Sequence, residues 1–249
     1  MSREIKILIL IFPGFDLLDL SGPVEVLGKG GTDSIKFNFT IASETDETKS
    51  VEGVTIKRDK SFEEVAQCIG QFHVLIQPGA GLDQIKAYRA DSPVFEKHLG
   101  IIQRFTSLSP SGGESRTLLS ICTGALIIGS SGAFSGLEVT THYEGLELLH
   151  DWCELYRKKY GGNPVKIVPD LRSGSKGPEF SHIHEAYRNA QKAQVRWVDA
   201  GNNDRGVRVI SSGGISCGLD ASLFLLSELV NLEKARFSAR IMEYAWRWA

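Results

Sequence analysis

The chain has little that would tie it to a membrane or to nucleic acid. None of its apolar runs approaches the ~18 residues that a membrane helix needs. The net charge over 249 residues is only −2, so no electrostatic attraction to nucleic acid or an anionic membrane is expected. The N-terminal apolar stretch 7–12 is too short for a secretory signal and runs into Pro13-Gly14 with no cleavage site behind it. We expect a cytoplasmic protein with neither partner.

Motifs for metals and organic cofactors are also missing. The chain has four cysteines: Cys68, Cys122, Cys153 and Cys217. None of them forms a CxxC pair, which argues against a zinc site or a redox dithiol, and in a reducing compartment we expect free thiols. The Gly79–Gly81 turn lacks the further glycine of a dinucleotide-binding motif, because position 84 is Gln84. His182 and His184 have no third ligand nearby, so we interpret them as a solvated pair. No metal and no cofactor is expected.

Short apolar runs alternate with longer helical patterns. The predicted strands are 5–12, 37–43, 54–57, 73–77, 117–121, 195–198 and 207–211. The predicted helix starts are Ser21-Gly22-Pro23, the capping-box patterns 61–64 and 141–144, and Ser92-Pro93, with two long helices at about 217–231 and 232–247. This alternation predicts an α/β fold, a doubly wound and mainly parallel sheet with helices on both faces.

One segment interrupts the pattern. Residues 157–194 are polar, rich in Gly, Pro and Lys, and poor in periodicity. Because too little chain follows for a second core, we predict a single domain over 1–249 with a polar insertion at 157–194. Such an insertion is typical of a lid or an interface arm.

The stretch LLSICTGALIIG (119–130) places Cys122 between a predicted strand and a predicted helix. Ser120 and Gly124 flank it at the spacing small-x-nucleophile-x-small, which permits the sharp turn of a nucleophile elbow. A helix N-terminus favours thiolate over thiol, so the pattern also predicts a lowered pKa for Cys122. The alternative is that Cys122 is simply a small buried hydrophobic residue.

Two further stretches follow predicted strands and should lie at the same edge of the sheet. FPGFDLLDLSGP (12–23) carries Asp16 and Asp19, and QPGAGLD (77–83) is a glycine turn. In a parallel sheet such loops converge where ligands bind. We therefore expect an acid, a thiol and a glycine turn in one crevice. Asp16 is interpreted as a solvated loop residue, and Asp19, judged from its local context alone, is more typical of a turn or cap carboxylate.

The order of five motifs resembles the ThiJ/PfpI superfamily. The motifs are FPGFDLLDLSGP (12–23), IQPGAG (76–81), SICTGA (120–125), VTTHY (139–143) and SSGGISCGLDASL (211–223). The resemblance covers nearly the whole chain except about 157–194. It implies a class I glutamine amidotransferase-like, flavodoxin-like fold. The branch that the chain resembles most is that of the isocyanide (isonitrile) hydratases and their relatives, which include the α/β halves of some AraC-type regulators.

The resemblance assigns roles to single residues. Cys122 matches the nucleophile, and Asp19 matches the acid that faces the thiol and shuttles a proton. Thr123 matches the threonine beside the nucleophile in this branch, where protease-like and glyoxalase-like branches carry histidine. A peptidase or glyoxalase function is therefore disfavoured.

Three further positions carry binding roles by resemblance. Gly79 and Ala80 match an oxyanion-type backbone turn. The family more often has two glycines there, and an alanine side chain is expected to alter or narrow the turn. His142 matches a Thr-Thr-His segment near the pocket. From its own sequence context, in a capping-box pattern, His142 is more typical of a structural residue than of a base.

The function implied by the resemblance is a cofactor-independent hydratase. An isocyanide would be hydrated to an N-substituted formamide through a thioimidate on Cys122. Alternatives are another hydration, isomerisation or dehydration that uses Cys122 and Asp19, or a ligand-binding or redox-sensing protein whose Cys122 oxidises without turnover. A regulator would normally carry a helix-turn-helix module, for which no room follows the α/β pattern. Because relatives are commonly dimers, we expect a homodimer with a small-molecule substrate, and the C-terminal aromatic residues are candidates for its interface.

Overall fold

A computed structural model describes residues 2–108, 115–168 and 195–247. The strands in these ranges are β1 (Arg3–Leu10), β2 (Ile35–Ala42), β3 (Glu47–Lys49), β4 (Thr55–Lys57), β5 (Val74–Gln77), β6 (Thr117–Ser120), β7 (Glu138–Val139), β8 (Lys166–Ile167), β9 (Trp197–Asn202) and β10 (Arg208–Ser212). The helices are α1 (Leu17–Lys29), α2 (Phe62–Cys68), α3 (Leu82–Ala90), α4 (Ser92–Ser107), α5 (Gly124–Ser131), α6 (Leu146–Tyr160), α7 (Cys217–Leu229) and α8 (Leu232–Ile241). Single 3-10 turns cover Ile69–Gln71 and Tyr143–Gly145.

A six-stranded sheet in the order β2-β1-β5-β6-β10-β9 forms the centre of the protein. All neighbouring strands are parallel except β9, which is antiparallel to β10. The chain leaves β1 toward β2 on one side and later returns to β5 on the other. The strand order therefore reverses between β1 and β5, and ligands bind at the carboxyl ends of strands at such a reversal. The predicted mainly parallel α/β fold is confirmed.

Helices cover both faces of this sheet. α1 packs against α7 and α8, whereas α4 packs against α2, α3 and α5, and α5 packs against α6. The crossovers from β1 to β2 and from β5 to β6 lead in opposite directions, so right-handed connections place α1 and α4 on opposite faces. β5 and β6 are buried along their whole length. This explains why the central strands are continuous apolar runs without alternation.

The predicted start of the first helix at Ser21-Gly22-Pro23 was wrong. α1 begins at Leu17, because the Asp16 side chain caps it by accepting hydrogen bonds from the backbone N–H groups of Leu18 and Asp19. Asp16 is therefore a helix cap and not simply a solvated loop residue. The correction matters for the site, since it places Asp19 in the first turn of a helix, where the side-chain direction is fixed by the backbone.

The capping box predicted at Ser61 is present, but the one predicted at 141–144 is not. His142 is the cap of the short turn Tyr143–Gly145, and its Nδ1 accepts a 3.3 Å hydrogen bond from the N–H of Glu144. The hydroxyl of Thr141 instead donates to the backbone oxygen of Cys122 at 2.8 Å. The predicted strand 54–57 lies outside the main sheet, in the β3–β4 pair.

The first residues of the predicted insertion 157–194 belong to regular secondary structure. α6 continues to Tyr160, and β8 pairs with β7. Residues 169–194, including His182 and His184, lie outside the described part of the chain. At the C-terminus, α8 ends at Ile241 instead of 247, because Glu243 adopts a left-handed φ of 50° that no α-helix continues through. Among the helices of the described ranges, none is long and apolar enough to span a membrane.

Candidate active site

Cys122 lies at a sharp turn between β6 and α5. Its φ of 53° is left-handed, a conformation that non-glycine residues rarely adopt outside strained functional turns. The turn is held on both sides, since Ile121 N–H donates to Gln77 O at 3.0 Å and Cys122 N–H donates to Gly213 O at 3.1 Å. A Cβ atom at Gly124 would collide with the backbone oxygen of Gln77, so a small residue is required there. This geometry is the predicted nucleophile elbow.

Asp19 faces the Cys122 thiol from the first turn of α1. Its side chain is fully buried, and Oδ2 accepts a 2.9 Å hydrogen bond from Gly79 N–H. Oδ1 is buried without a hydrogen-bond partner of standard geometry. Burial, assisted by the negative charge of Asp16, raises the pKa of Asp19 to about 8, although the Gly79 N–H and the Cys122 thiol act in the opposite direction. Asp19 is therefore a neutral carboxylic acid at pH 7, with Oδ1 as the oxygen left to carry the proton.

The expected low pKa of Cys122 is wrong for the resting site. Burial first, and then the neighbouring Asp19, raise the pKa of this thiol well above its usual range. The thiol is 4% exposed, so desolvation outweighs the partial charge of about +0.5 at the start of α5. Backbone N–H groups of Ile215 and Thr123 point to the sulfur and lower the pKa. A thiolate therefore has two N–H donors, but it forms only together with a proton on Asp19.

The predicted oxyanion turn at Gly79 and Ala80 is already occupied. Gly79 N–H binds Asp19, and Ala80 N–H donates to Thr123 Oγ1 at 2.8 Å. The Thr123 hydroxyl in turn binds Ala80 O. The expected binding role of Gly79 and Ala80 therefore changes: they position Asp19 and the elbow, and Thr123 connects the two loops. The donors that point to the nucleophile are those of Thr123 and Ile215.

Ile215 was not predicted as a site residue. It lies in the β10–α7 loop with a left-handed φ of 28°, and its backbone N–H hydrogen-bonds to Cys122. The signal in the sequence was the Gly213-Gly214 pair before it, since glycine next to a strand end often marks a close backbone approach.

We predict that Gly79→Ala destabilises the protein and impairs the site. A Cβ atom there would lie 2.6 Å from Thr123 N and 2.7 Å from Gly124 N, both backbone atoms that cannot move away cheaply. Overpacking of this kind costs about 1–3 kcal/mol, which should lower the Tm measured by calorimetry by several degrees. Gly100→Ala is the matched control, because a Cβ at Gly100 in α4 meets nothing within 4 Å and should leave the Tm unchanged or raised. An equal Tm for both variants would contradict this account.

His142 lies beside a cavity of about 360 Å³ next to the elbow. The cavity is lined by the segment 140–143, by Arg196 and by the β10–α7 loop from Gly213 to Cys217. His142 is close to the loop, since a Cβ at Gly214 would collide with its ring. Burial lowers the pKa of His142, so it is neutral at pH 7. The structure therefore places His142 at the wall of this cavity, against the loop that carries Ile215.

A buried hydrogen-bond network of Gln77, His98 and Tyr88 lies at the base of the glycine turn Gly79–Gly81. The Gln77 amide donates to Leu10 O and Pro78 O, so its Oε1 accepts the 2.6 Å hydrogen bond from His98 Nε2. His98 Nδ1 is then free to accept from Tyr88 OH at 2.8 Å. Burial lowers the pKa of His98 to about 3, so the ring is neutral. This network fixes the end of β5, from which Gly79 reaches Asp19.

The sequence matches a known family over most of this site. The DJ-1/PfpI family model matches residues 5–160, which include Asp19, Gly79 and Cys122. The chain is 25% identical over 236 residues to the isonitrile hydratase of Pseudomonas putida, covering 95% of this chain and 77% of the hydratase.

Solved structures show the same fold. A ThiJ/PfpI family protein from Pseudomonas syringae superposes with a TM-score of 0.65 at 21% identity, covering 98% of this chain and 76% of that one. Drosophila melanogaster DJ-1beta superposes with a TM-score of 0.62 at 20% identity, covering 99% of this chain and all of that one (100%). In the described residues, no three His, Cys, Asp or Glu side chains converge on a possible metal position.

Proposed function

Because the chain belongs to the DJ-1/PfpI family, we propose that it is a cysteine-dependent hydratase of a small electrophile, with an isocyanide as substrate and an N-substituted formamide as product. The observation that carries the proposal is the buried Asp19 carboxylic acid against the Cys122 thiol. A neutral acid beside a thiol can supply a proton at the same place where the sulfur attacks. The relationship to an isonitrile hydratase supports the choice of substrate.

The first step forms a carbon–sulfur bond. The reacting form of the pair holds one proton on Asp19 and has a thiolate at Cys122. It is the minor tautomer, since burial raises the pKa of the thiol above that of Asp19. The sulfur adds to the terminal carbon of R–NC, and Asp19 transfers its proton to that carbon. The product is a thioimidate, R–N=CH–S, on Cys122, and Asp19 is left as a carboxylate. The N–H groups of Thr123 and Ile215 stabilise the thiolate before attack.

The second step releases the formamide. The Asp19 carboxylate takes a proton from water, and the resulting hydroxide adds to the thioimidate carbon. Asp19 gives its proton to the nitrogen and takes back the proton of the new hydroxyl group as the carbon–sulfur bond breaks, and R–NH–CHO leaves. The thiolate and the protonated Asp19 are regenerated. The sum is one isocyanide plus one water to one formamide, so the steps balance without an oxidant, a reductant or a cofactor.

Mass spectrometry tests the proposal on the wild-type protein. After incubation with a panel of small alkyl and aryl isocyanides, we expect the formamide in solution. A rapid acid quench should also reveal a Cys122 peptide heavier by the mass of one isocyanide. Formamide production no faster than in buffer, across the panel, would overturn the proposal.

The redox alternative is less well supported by the geometry of the site. Oxidation by peroxide requires an accessible thiolate, whereas Cys122 is buried and its pKa is raised. We therefore expect slow formation of sulfenic acid at Cys122 at pH 7. Stoichiometric oxidation by dilute peroxide, in a protein without isocyanide turnover, would favour the sensor function instead.

A further inference from the structure

The β10–α7 loop carries the donor that points to Cys122, and a separate group of side chains holds that loop. We call this group the Arg196 network: Arg196, Ser216, Asp220 and Tyr244. Arg196 Nε pairs with the carboxylate of Asp220, which is fully buried. Arg196 Nη2 donates to Ser216 Oγ at 3.1 Å and to Tyr244 OH at 3.4 Å. The ion pair therefore fixes the guanidinium beside the loop.

The C-terminal segment completes the network. Tyr244 OH donates to Ser216 O at 3.1 Å, and Arg247 N–H donates to Asp220 Oδ1 at 2.9 Å. Glu243 turns the chain out of α8 with its left-handed φ, which lets Tyr244 reach the loop. The segment after α8 is thus connected to the same carboxylate as Arg196.

The β10–α7 loop is also hydrogen-bonded directly to the elbow that carries Cys122. Gly213 N–H donates to Arg196 O at 2.9 Å, and Gly213 O accepts the N–H of Cys122 at 3.1 Å. Ser216, which the Arg196 network holds, is adjacent to Ile215, which has a strained φ of 28° and whose N–H hydrogen-bonds to Cys122. Displacement of Ser216 would therefore move the Ile215 N–H away from Cys122.

We propose that Arg196, Asp220 and Tyr244 are positioning residues that set the reactivity of Cys122 by fixing the Ile215 N–H against its sulfur. They touch neither the sulfur nor Asp19, so they act through the backbone of the loop. The inference rests on the proposed function only in that Cys122 is the nucleophile. It assigns a role to the C-terminal segment, which sequence patterns indicated only as core or interface.

Tyr244→Phe tests the proposal with little risk to folding, because the side chain is half-buried and only its hydroxyl is removed. The readout is the rate at which iodoacetamide alkylates Cys122, followed by peptide mass spectrometry from pH 6 to 10. Loss of a well-placed N–H donor should raise the apparent pKa of the thiol. At pH 7.5 we expect alkylation about threefold to tenfold slower, with an apparent pKa about half a unit to one unit higher. The Tm should stay close to that of the wild type.

Asp220→Asn is the second variant, since it breaks the ion pair while keeping the shape, and it should shift the profile in the same direction. The control is Asp199→Asn, which removes a comparable ion pair with Arg208 at the opposite end of β10 and should leave the profile unchanged. The other titratable groups around the site are Asp16, Asp19, Glu52, Cys217 and His142. These groups are present in every variant, so a difference between two pH profiles reports the effect of the substituted residue.

A Tyr244→Phe protein that is folded and has the wild-type pH profile would overturn the proposal, whatever Asp220→Asn does. Alkylation does not depend on turnover, so the two proposals fail separately. A shifted profile without isocyanide hydration keeps the positioning role and removes the substrate. If isocyanides are hydrated but the pH profile of Tyr244→Phe is unshifted, the proposed function stands and the positioning role is removed.

Discussion

Cys122→Ala is expected to lower turnover by at least about a thousandfold, because it removes the thiol that hydrogen-bonds Asp19 and forms the covalent bond to the substrate. The fold should persist, since the change removes one buried sulfur atom. The measurement is formamide production at saturating isocyanide, together with the circular dichroism spectrum and Tm.

Cys153→Ala is the matched control for this result. Cys153 is also buried, at 5% exposure in α6, where its sulfur packs near Gly129. The variant should lose a similar amount of stability but keep wild-type turnover. Formamide production by Cys122→Ala at a rate like that of the Cys153→Ala control would remove Cys122 from the mechanism.

Asp19→Asn is expected to lower turnover about a hundredfold to ten-thousandfold, the range typical of the loss of a general acid–base. Asparagine can still accept the hydrogen bond from Gly79 N–H, so the position of α1 should not change. It cannot deliver a proton to the substrate carbon or take one from water. Activity within tenfold of wild type would show that the carboxyl group is not the proton shuttle.

The same variant should be more stable than the wild type at alkaline pH. The pKa of Asp19 is raised from about 3.8 in the unfolded chain to about 8 in the native state. Across that window the native state holds a proton that the unfolded state has released, so the free energy of unfolding of the wild type falls as the pH rises, by at most about 1.4 kcal/mol per pH unit. Asparagine does not titrate. The Tm of Asp19→Asn relative to wild type should therefore increase by several degrees between pH 5 and pH 8.

The meeting of Asp19, Gly79 and Cys122 could be predicted because it follows from topology. Each residue follows a parallel strand that was recognisable as an apolar run, and parallel strands bring their following loops to one edge. The elbow was predictable for a similar reason, since Ser120 and Gly124 had to be small. These inferences needed only local pattern and the direction of the strands.

The wrong predictions about the site depended on contacts between distant segments. The N–H groups of Gly79 and Ala80 were expected to bind substrate, but which partners they have depends on where α1 places Asp19 and where the elbow places Thr123. The pKa of Cys122 was expected to fall because a helix start is visible in sequence, whereas the depth of burial is not. Ile215 was missed because its role depends on the packing of a loop against a strand end far away in the chain. The homodimer and the role of the insertion at 157–194 stay predictions.

The central claim is that Cys122 and Asp19 titrate as one pair that loses its first proton near pH 8. The most direct test is the rate of Cys122 alkylation by iodoacetamide as a function of pH, in the wild type and in Asp19→Asn. In the wild type the rate should rise about tenfold per pH unit below pH 8 and level off above it. In Asp19→Asn the break near pH 8 should disappear, and the rate should keep rising as the buried thiol ionises alone. A rate that is flat between pH 6 and 8, or an identical break in the two proteins, would show that the sulfur ionises independently of Asp19.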